Sequence, residues 1–355
     1  MMKAARWDEQ DLTTQAAAAL TGFLAALPDS QVTVVPAQNA GIDTRLDLVV
    51  QLLWQGCVNV LLVGLKSRLH PREARLAIAE LREASVREPG GYPVLMAPFL
   101  SPAVAELCVA EGVGYADLAG NCRLCFDRVF IERVGHPNPA PRQNQLQSLF
   151  TPRAQCIVRV LLVHPGRAWK LLELATEAGV SVGHVHSVKE LLVAQEWAAT
   201  TVRGLVLTQP SALLEAWASH GPSPAATVQA FALGTVNELE HALATACEEL
   251  GFPYALTEFS AAIRYAPMVR YVRAAAYVLG DLSAVLANMQ AQEVTSGANL
   301  KLVRPRDEGV LYGSQTIDDL RVVAPVQTYV DLMGLSGRGT EAAAALRERM
   351  LEPSW

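Results

Sequence analysis

Long apolar runs are absent from this sequence. No uninterrupted apolar stretch reaches the roughly 18 residues that a membrane-spanning helix needs. Residues 1–15 carry acidic side chains where a secretory signal peptide has a basic flank followed by an apolar run. We therefore expect a cytoplasmic protein that does not associate with membranes.

Charged residues are also scarce, and the spacing of the cysteines does not suggest a disulfide framework. Only 18% of the 355 residues are charged and 51% are hydrophobic, which is enough to bury the cores of two or three domains. The six cysteines are spread along the chain in mostly apolar contexts, which favours reduced core thiols over disulfides. Cys122 and Cys125 form one CxxC, but zinc normally takes four ligands and no second pair lies nearby. We expect no metal and no cofactor.

The net charge of −6 argues at first against a nucleic-acid partner. Its distribution is uneven, because residues 151–208 hold six Lys and Arg against four Asp and Glu, whereas both flanking segments are acidic. An excess of two positive charges supplies only a small part of the counterion release behind tight DNA binding, and a dimer would double it. Charge therefore marks the central segment as the candidate for DNA contact.

Apolar periodicity and Pro-rich joints divide the chain into three parts. Residues 1–135 alternate short apolar runs with helical patterns, which indicates an α/β domain. Residues 136–150 are rich in Pro and polar side chains and are predicted to be a linker. Residues 151–220 are helical, and residues 225–355 alternate strands and helices after a second Pro-rich joint at Gly221–Pro224. The predicted fold class is α/β multi-domain.

The central part has the pattern of a winged helix-turn-helix. Helices over Pro152–Val163 and Trp169–Ala178 precede a turn at Gly179–Ser181 and a third helix that starts at Val182. A hairpin with Arg203–Gly204 at its tip follows. In such a module the third helix lies in the major groove of a DNA duplex.

The outward side of the third helix supplies the candidate DNA-binding residues. Leu172 of the second helix and the apolar residues Val182, Val185, Val188 and Leu192 of the third are predicted to face inward. The start of the third helix offers a hydroxyl and backbone N–H groups to phosphates, and the wing offers an arginine. The candidate DNA-binding residues are Ser181, Gly183, His184, His186, Ser187, Lys189 and Arg203. Winged helices also serve as protein-interaction modules, which is the alternative for this surface.

Two residues of the first part are typical of a restriction-endonuclease-like core. Such a core places an Asp on one strand and an acid-x-Lys on its neighbour, because two carboxylates hold Mg²⁺ while the Lys orients the attacking water. Asp47 and Lys66 fit these positions, but the residue two before Lys66 is Gly64. One carboxylate binds Mg²⁺ poorly, and Asp43 or Asp117 would have to supply the second. We expect a nuclease-shaped domain without cleavage, and Mg²⁺ only if that expectation fails.

Three segments of the last part carry a resemblance to known proteins: Tyr254–Ala262, Ala324–Leu332 and Gly337–Leu346. They resemble the AbiEi-like family, the antitoxin-type regulators of type IV toxin-antitoxin systems, and the resemblance covers about residues 150–355. It implies a winged helix that binds promoter DNA to repress transcription, followed by a C-terminal α/β domain. The restriction-endonuclease-like domain in front departs from that family pattern.

The leading hypothesis is a non-enzymatic DNA-binding regulator or antitoxin-like repressor, with double-stranded DNA as its partner. Its α/β domains would mediate dimerisation or bind a protein partner or effector. The enzymatic alternative is a Mg²⁺-dependent nuclease or DNA-processing protein that uses Asp47 and Lys66. The third hypothesis is an interaction protein that neutralises a toxin through residues 225–355.

Overall fold

The computed structural model describes residues 9–40, 46–67, 69–137, 149–221, 224–266, 271–335 and 337–355. The chain divides into two compact units, Met1–Arg142 and Gln143–Trp355. Most of the predicted linker, the middle of the second Pro-rich joint and Asp43 lie outside the described residues. Across the described ranges, no helix is long and apolar enough to cross a membrane.

The described part of the N-terminal unit contains one sheet and four helices. The strands lie in the sheet in chain order, and the pairs β3–β4 and β4–β5 are parallel whereas all other neighbours are antiparallel. In chain order the elements are α1 (Glu9–Leu24), β1 (Gln31–Pro36), α2 (Ala37–Ala40), β2 (Leu48–Trp54), β3 (Cys57–Leu65), α3 (Pro71–Arg87), β4 (Gly91–Ala97), α4 (Pro102–Ala110), β5 (Gly114–Asp117), β6 (Cys122–Phe126) and β7 (Val129–Arg133).

Helices cover both faces of this sheet. Leu48 and Val50 pack in the cluster that contains the α1 side chains, whereas Val49 packs in the cluster beneath α3 and α4. Burial on both faces explains why these strands are continuous apolar runs rather than alternating ones. The β2–β3 turn lies at Gln55 and Gly56, whose φ angles of 47° and 78° suit a two-residue hairpin loop. The predicted position of this turn is confirmed.

The C-terminal unit begins with a helical module, defined here as residues 149–207. It contains α5 (Pro152–Val163), α6 (Leu171–Glu177), α7 (Val182–Ala194), β8 (Ala198–Thr201) and β9 (Gly204–Leu207). Three helices and a hairpin are therefore present where the pattern predicts them. Val185, Val188 and Leu192 are buried, but Val182 and Leu172 are 40% and 68% exposed, so their predicted inward orientation is wrong.

The rest of this unit is a second α/β region. Its sheet has the order β13-β10-β14-β12-β11-β16-β15, with β12 parallel to β14 and β11 parallel to β16. The elements are α8 (Pro210–His220), β10 (Ala226–Phe231), α9 (Val236–Leu250), β11 (Tyr254–Leu256), α10 (Glu258–Tyr265), β12 (Ala274–Val278), α11 (Leu282–Asn288), β13 (Gln292–Glu293), β14 (Leu300–Arg304), a 3₁₀ turn (Glu308–Leu311), β15 (Gln315–Ile317), β16 (Leu320–Val322), α12 (Pro325–Met333) and α13 (Arg338–Leu346).

The helical module and the α/β region share one hydrophobic core. α5 contacts α7 of the module and also α12 of the α/β region, so every residue from Ile157 to Leu162 is buried. The sequence predicts separate domains joined near residues 221–224, whereas the structure groups both parts in a single compact unit.

Candidate nucleic-acid interface

A backbone bridge organises the helical module. Trp169, between α5 and α6, exchanges two N–H···O bonds of 2.8 Å with Leu205 of β9. β9 therefore lies between β8 and Trp169, and the hairpin is held against the helices. Gly204 allows this close approach, because its φ is +134° and a Cβ there would lie 2.3 Å from the Trp169 carbonyl oxygen. The sequence pattern does not predict this bridge.

α7 begins at an exposed and capped end. Ser181 is its N-cap, and the Ser181 hydroxyl oxygen accepts a hydrogen bond of 3.3 Å from the backbone N–H of His184. Four of the predicted DNA-contact residues are exposed on this helix: Ser181, Gly183, His186 and Ser187. They form a surface with hydroxyl and imidazole groups near a helix N-terminus, which is favourable for anions.

The other two candidates on α7 are less accessible. His184 is half-buried, and its Nε2 atom is buried without a hydrogen bond among the described residues. The Lys189 side chain is 20% exposed, and its Nζ lies 3.2 Å from the Glu190 carboxylate. The same carboxylate lies 4.0 Å from Nε2 of His186. Glu190 is therefore a competing anion on this face, which the sequence analysis missed although the i, i+4 spacing of His186 and Glu190 signals it.

The wing presents an arginine at its tip. Val202 and Arg203 are both exposed, and the Arg203 backbone N–H donates to the Thr201 hydroxyl at 3.2 Å. The Arg167 guanidinium lies over the Trp169 ring, 3.7 Å from its centroid. A shallow groove between the loop before α6 and the wing is lined by Gly166, Ala168, Thr201, Val202, Arg203 and Val206. Arg167 is a second cation beside this groove that the sequence analysis did not single out.

The positive charge of the module is smaller at its surface than in its sequence. Arg159 is 1% exposed, and its Nη1 lies 3.7 Å from the Asp307 carboxylate of the α/β region. Its charge is therefore directed into the core and away from a DNA phosphate. A surface excess smaller than the sequence count strengthens the expectation that the module alone binds DNA weakly.

The second candidate site lies in the N-terminal unit. The Asp47 carboxylate accepts a 2.6 Å hydrogen bond from the backbone N–H of Leu65, the residue before Lys66. Lys66 Nζ lies 3.8 Å from the Glu80 carboxylate of α3. At Gly64 a Cβ would lie 3.3 Å from the Leu81 side chain, so this position faces an apolar contact.

Asp117 does not supply the missing carboxylate. It is fully buried, and its oxygens accept hydrogen bonds from the backbone N–H groups of Leu100 and Asn121 and from the Asn121 side chain. These bonds use the carboxylate to hold a turn. Cys122 is buried whereas Cys125 is exposed, and the described residues contain no group of three or more side chains arranged to hold a metal ion.

A buried polar network lies beneath the helical module. Asp331 on α12 accepts hydrogen bonds from the hydroxyls of Thr257 and Tyr277 and from Gln327 Nε2. Burial raises the pKa of Asp331 to about 6 in spite of these donors. Gln327 in turn accepts hydrogen bonds of 3.1 and 3.0 Å from Arg159, so the network joins α5 to the α/β region. Thr257, Gln327 and Asp331 all belong to the segments that carry the family resemblance.

One comparison with known proteins found a match. Residues 206–352 match the family model described as "Transcriptional regulator, AbiEi antitoxin, Type IV TA system". The match covers less than half of the chain; it begins within β9 and includes the α/β region. No curated protein and no solved structure matched the chain.

Proposed function

We propose that this protein is a DNA-binding transcriptional regulator of the antitoxin type, and that the helical module is a winged helix that contacts duplex DNA through α7 and the β8–β9 wing. The observation that carries the proposal is the order helix, Trp169 bridge, helix, helix, hairpin, with the outer side of α7 exposed. The match of residues 206–352 to a family of regulators and antitoxins suggests the same role.

The proposed contacts follow from what α7 and the wing expose. Ser181 and the N-terminus of α7 suit a phosphate, while His186 and Ser187 lie where side chains reach base edges. Val182, which is exposed, is placed to meet a thymine methyl group. Arg203 suits a phosphate or a minor groove beside the main contact.

The small positive charge of one module favours a dimer on DNA. Two modules double the number of phosphate contacts, so we expect binding by a dimer to fall more steeply with salt than binding by one module. Dimerisation of this chain and any protein partner of the α/β region belong to the same proposal.

The direct test is an electrophoretic mobility shift with duplex DNA from immediately upstream of the protein's own gene. We expect saturable binding whose affinity falls as salt rises. The double variant His186→Ala with Lys189→Ala should weaken this binding. The control His241→Ala with Arg304→Ala removes one histidine and one cationic side chain from exposed positions of α9 and β14 and should leave it unchanged. Equal affinities for both variants would exclude α7 as the DNA-reading helix.

A nuclease activity of the N-terminal unit is the second candidate. The hydrogen bond to Asp47 from the backbone of Leu65, one residue before Lys66, supports this candidate. Gly64 in the acid position and the structural use of Asp117 support a core that does not cleave. Incubation of the protein with plasmid and Mg²⁺ or Mn²⁺ decides between an active nuclease and a core that does not cleave. We expect intact plasmid, and nicking that is lost in Lys66→Ala would establish the nuclease instead.

Neutralisation of a toxin through the α/β region is the third candidate, and the family match supports it as well. Co-purification of this protein with the product of a neighbouring gene tests it. A complex that survives in a variant lacking DNA binding would separate toxin neutralisation from repression.

A further inference from the structure

A small cavity lies inside the C-terminal unit, between α5, α12 and the segment that follows β14. Its volume is about 30 Å³. A cavity that admits one water needs roughly 10–15 Å³, so this one has room for about two water-sized atoms. Its polar lining consists of Gln155, Arg159, Tyr277, Arg306, Asp307 and Gln327.

Arg159 brings an unused donor to this cavity. Its side chain is 2% exposed, and Nε and Nη2 both donate to the Gln327 amide oxygen. Nη1 is buried and makes no hydrogen bond among the described residues, and the Asp307 carboxylate oxygen lies 3.7 Å from it. A buried guanidinium N–H without an acceptor is unfavourable, so it calls for an occupant that accepts a hydrogen bond.

The remaining lining favours an anion over a neutral group. Tyr277 donates its hydroxyl hydrogen to Asp331, and the Gln155 amide donates one of its two hydrogens to a backbone carbonyl, so the arginines are the charged donors of the lining. Arg306 is exposed at the mouth of the cavity, and the lining has two arginines against the single carboxylate of Asp307. The cavity therefore carries one net positive charge.

A glycine keeps the space next to the guanidinium open. At Gly309 a Cβ would lie 2.9 Å from Arg159 Nη1 and 2.8 Å from an Asp307 carboxylate oxygen. Any other residue would push into the gap between these two groups. Gly309 thus preserves room where an acceptor atom is needed.

We propose that this cavity binds the oxyanion group of a small effector, either a carboxylate or a phosphate, with Arg159 Nη1 and Arg306 as its donors. Two oxygens of either group match the available room, and the planar fork of an arginine guanidinium suits two oxygens of a carboxylate or of a phosphate. The proposal about this site does not depend on DNA binding. Because Arg159 belongs to α5 of the helical module, an occupant of the cavity would contact that helix.

The test measures the melting temperature of the full-length protein in sodium phosphate, sodium acetate and sodium chloride at equal ionic strength. We expect a saturable rise in phosphate or in acetate over chloride, because a ligand that binds only the folded state stabilises it. The two oxyanions distinguish a phosphate site from a carboxylate site. Equal melting temperatures in the three salts would mean that the cavity holds only water, and would overturn the proposal.

Two variants distinguish specific binding of an oxyanion in the cavity from a general stabilising effect of the salt. Arg306→Ala should raise the dissociation constant at least about tenfold, because it removes a charge-assisted hydrogen bond from an exposed residue without disturbing the core. Arg304→Ala removes an exposed arginine that does not line the cavity, and should bind as the unchanged protein does. Phosphate also stabilises proteins by exclusion from their surface. A rise that persists unchanged in Arg306→Ala would show an adventitious ion only and would refute the site.

Discussion

Glu190 offers the sharpest test of the proposed DNA surface, because its removal should tighten binding rather than weaken it. Its carboxylate lies 3.2 Å from Lys189 Nζ and 4.0 Å from Nε2 of His186, on the face of α7 assigned to DNA. Glu190→Gln keeps the shape and helix propensity of the residue and removes only its charge. Few explanations other than a nearby phosphate backbone predict a gain of affinity from this substitution.

The expected gain follows from two terms. A carboxylate about 8 Å from a phosphate in water is repelled by about 0.5 kcal/mol. Release of Lys189 from a partly exposed ion pair contributes about another 0.5 kcal/mol, since such pairs are worth roughly 0.2–1 kcal/mol. The sum of about 1 kcal/mol corresponds to about fivefold tighter binding per module. The gain should shrink at high salt, because salt screens exposed charges.

Fluorescence anisotropy with a labelled duplex at low and at physiological salt measures this change. Glu248→Gln is the matched control, because it removes one exposed carboxylate from α9 and changes the net charge equally. We expect the control to bind as the unchanged protein does. Equal gains in both variants would indicate a global charge effect, and no gain in Glu190→Gln would mean that this face of α7 is not close to DNA.

Three further predictions concern stability. Arg159→Ala should lower the free energy of unfolding by about 3–5 kcal/mol in urea titrations, since it leaves buried partners unpaired, whereas exposed Arg153→Ala should change it by less than about 0.5 kcal/mol. The pKa of the Asp331 carboxyl is raised from 3.8 to about 6, so the folded state holds this proton more tightly than the unfolded state does. The free energy of unfolding should therefore fall by about 3 kcal/mol as pH rises from 3.8 through about 6. Asp331→Asn should lack this pH-dependent component when its free energy of unfolding is compared at pH 4 and pH 7. Gly204→Ala should destabilise the protein by at least about 2 kcal/mol and abolish DNA binding, because the added Cβ meets the Trp169 carbonyl. In the control Gly166→Ala the added Cβ meets nothing within 4 Å, so stability and DNA binding should not change. Thermal unfolding and mobility-shift assays measure both effects.

Local pattern predicted most of the elements but not how they pack. Periodicity identified α5, α7 and the β2–β3 hairpin at nearly their observed bounds, because helix and strand periods and turn residues act over a few neighbours. It did not predict α8 and α10, and it did not reveal that the helical module shares a core with the α/β region. Burial of every residue from Ile157 to Leu162 of α5 requires contacts with α12, more than 150 residues away in the chain.

Local pattern also predicted only part of the candidate DNA surface. Ser181, His186 and Arg203 are exposed where helical spacing and the hairpin tip place them. The reduced accessibility of His184 and Lys189 was not predictable from helical spacing alone, because both lie on the side of α7 that the spacing assigns to solvent. Lys189 Nζ lies 3.2 Å from the Glu190 carboxylate, and His184 is half-buried.

The sequence by itself determined the order of helices and strands, the lone CxxC, the Gly64 that replaces a metal-binding acid, and the capped start of α7. Each of these depends on residue type or on short-range backbone preference. The tertiary structure alone decided that Trp169 pairs with Leu205, that Arg159 points into a cavity, and that Asp117 accepts a hydrogen bond from the backbone N–H of Leu100. Those outcomes depend on groups distant in the chain competing for the same buried hydrogen bonds, which no local pattern encodes.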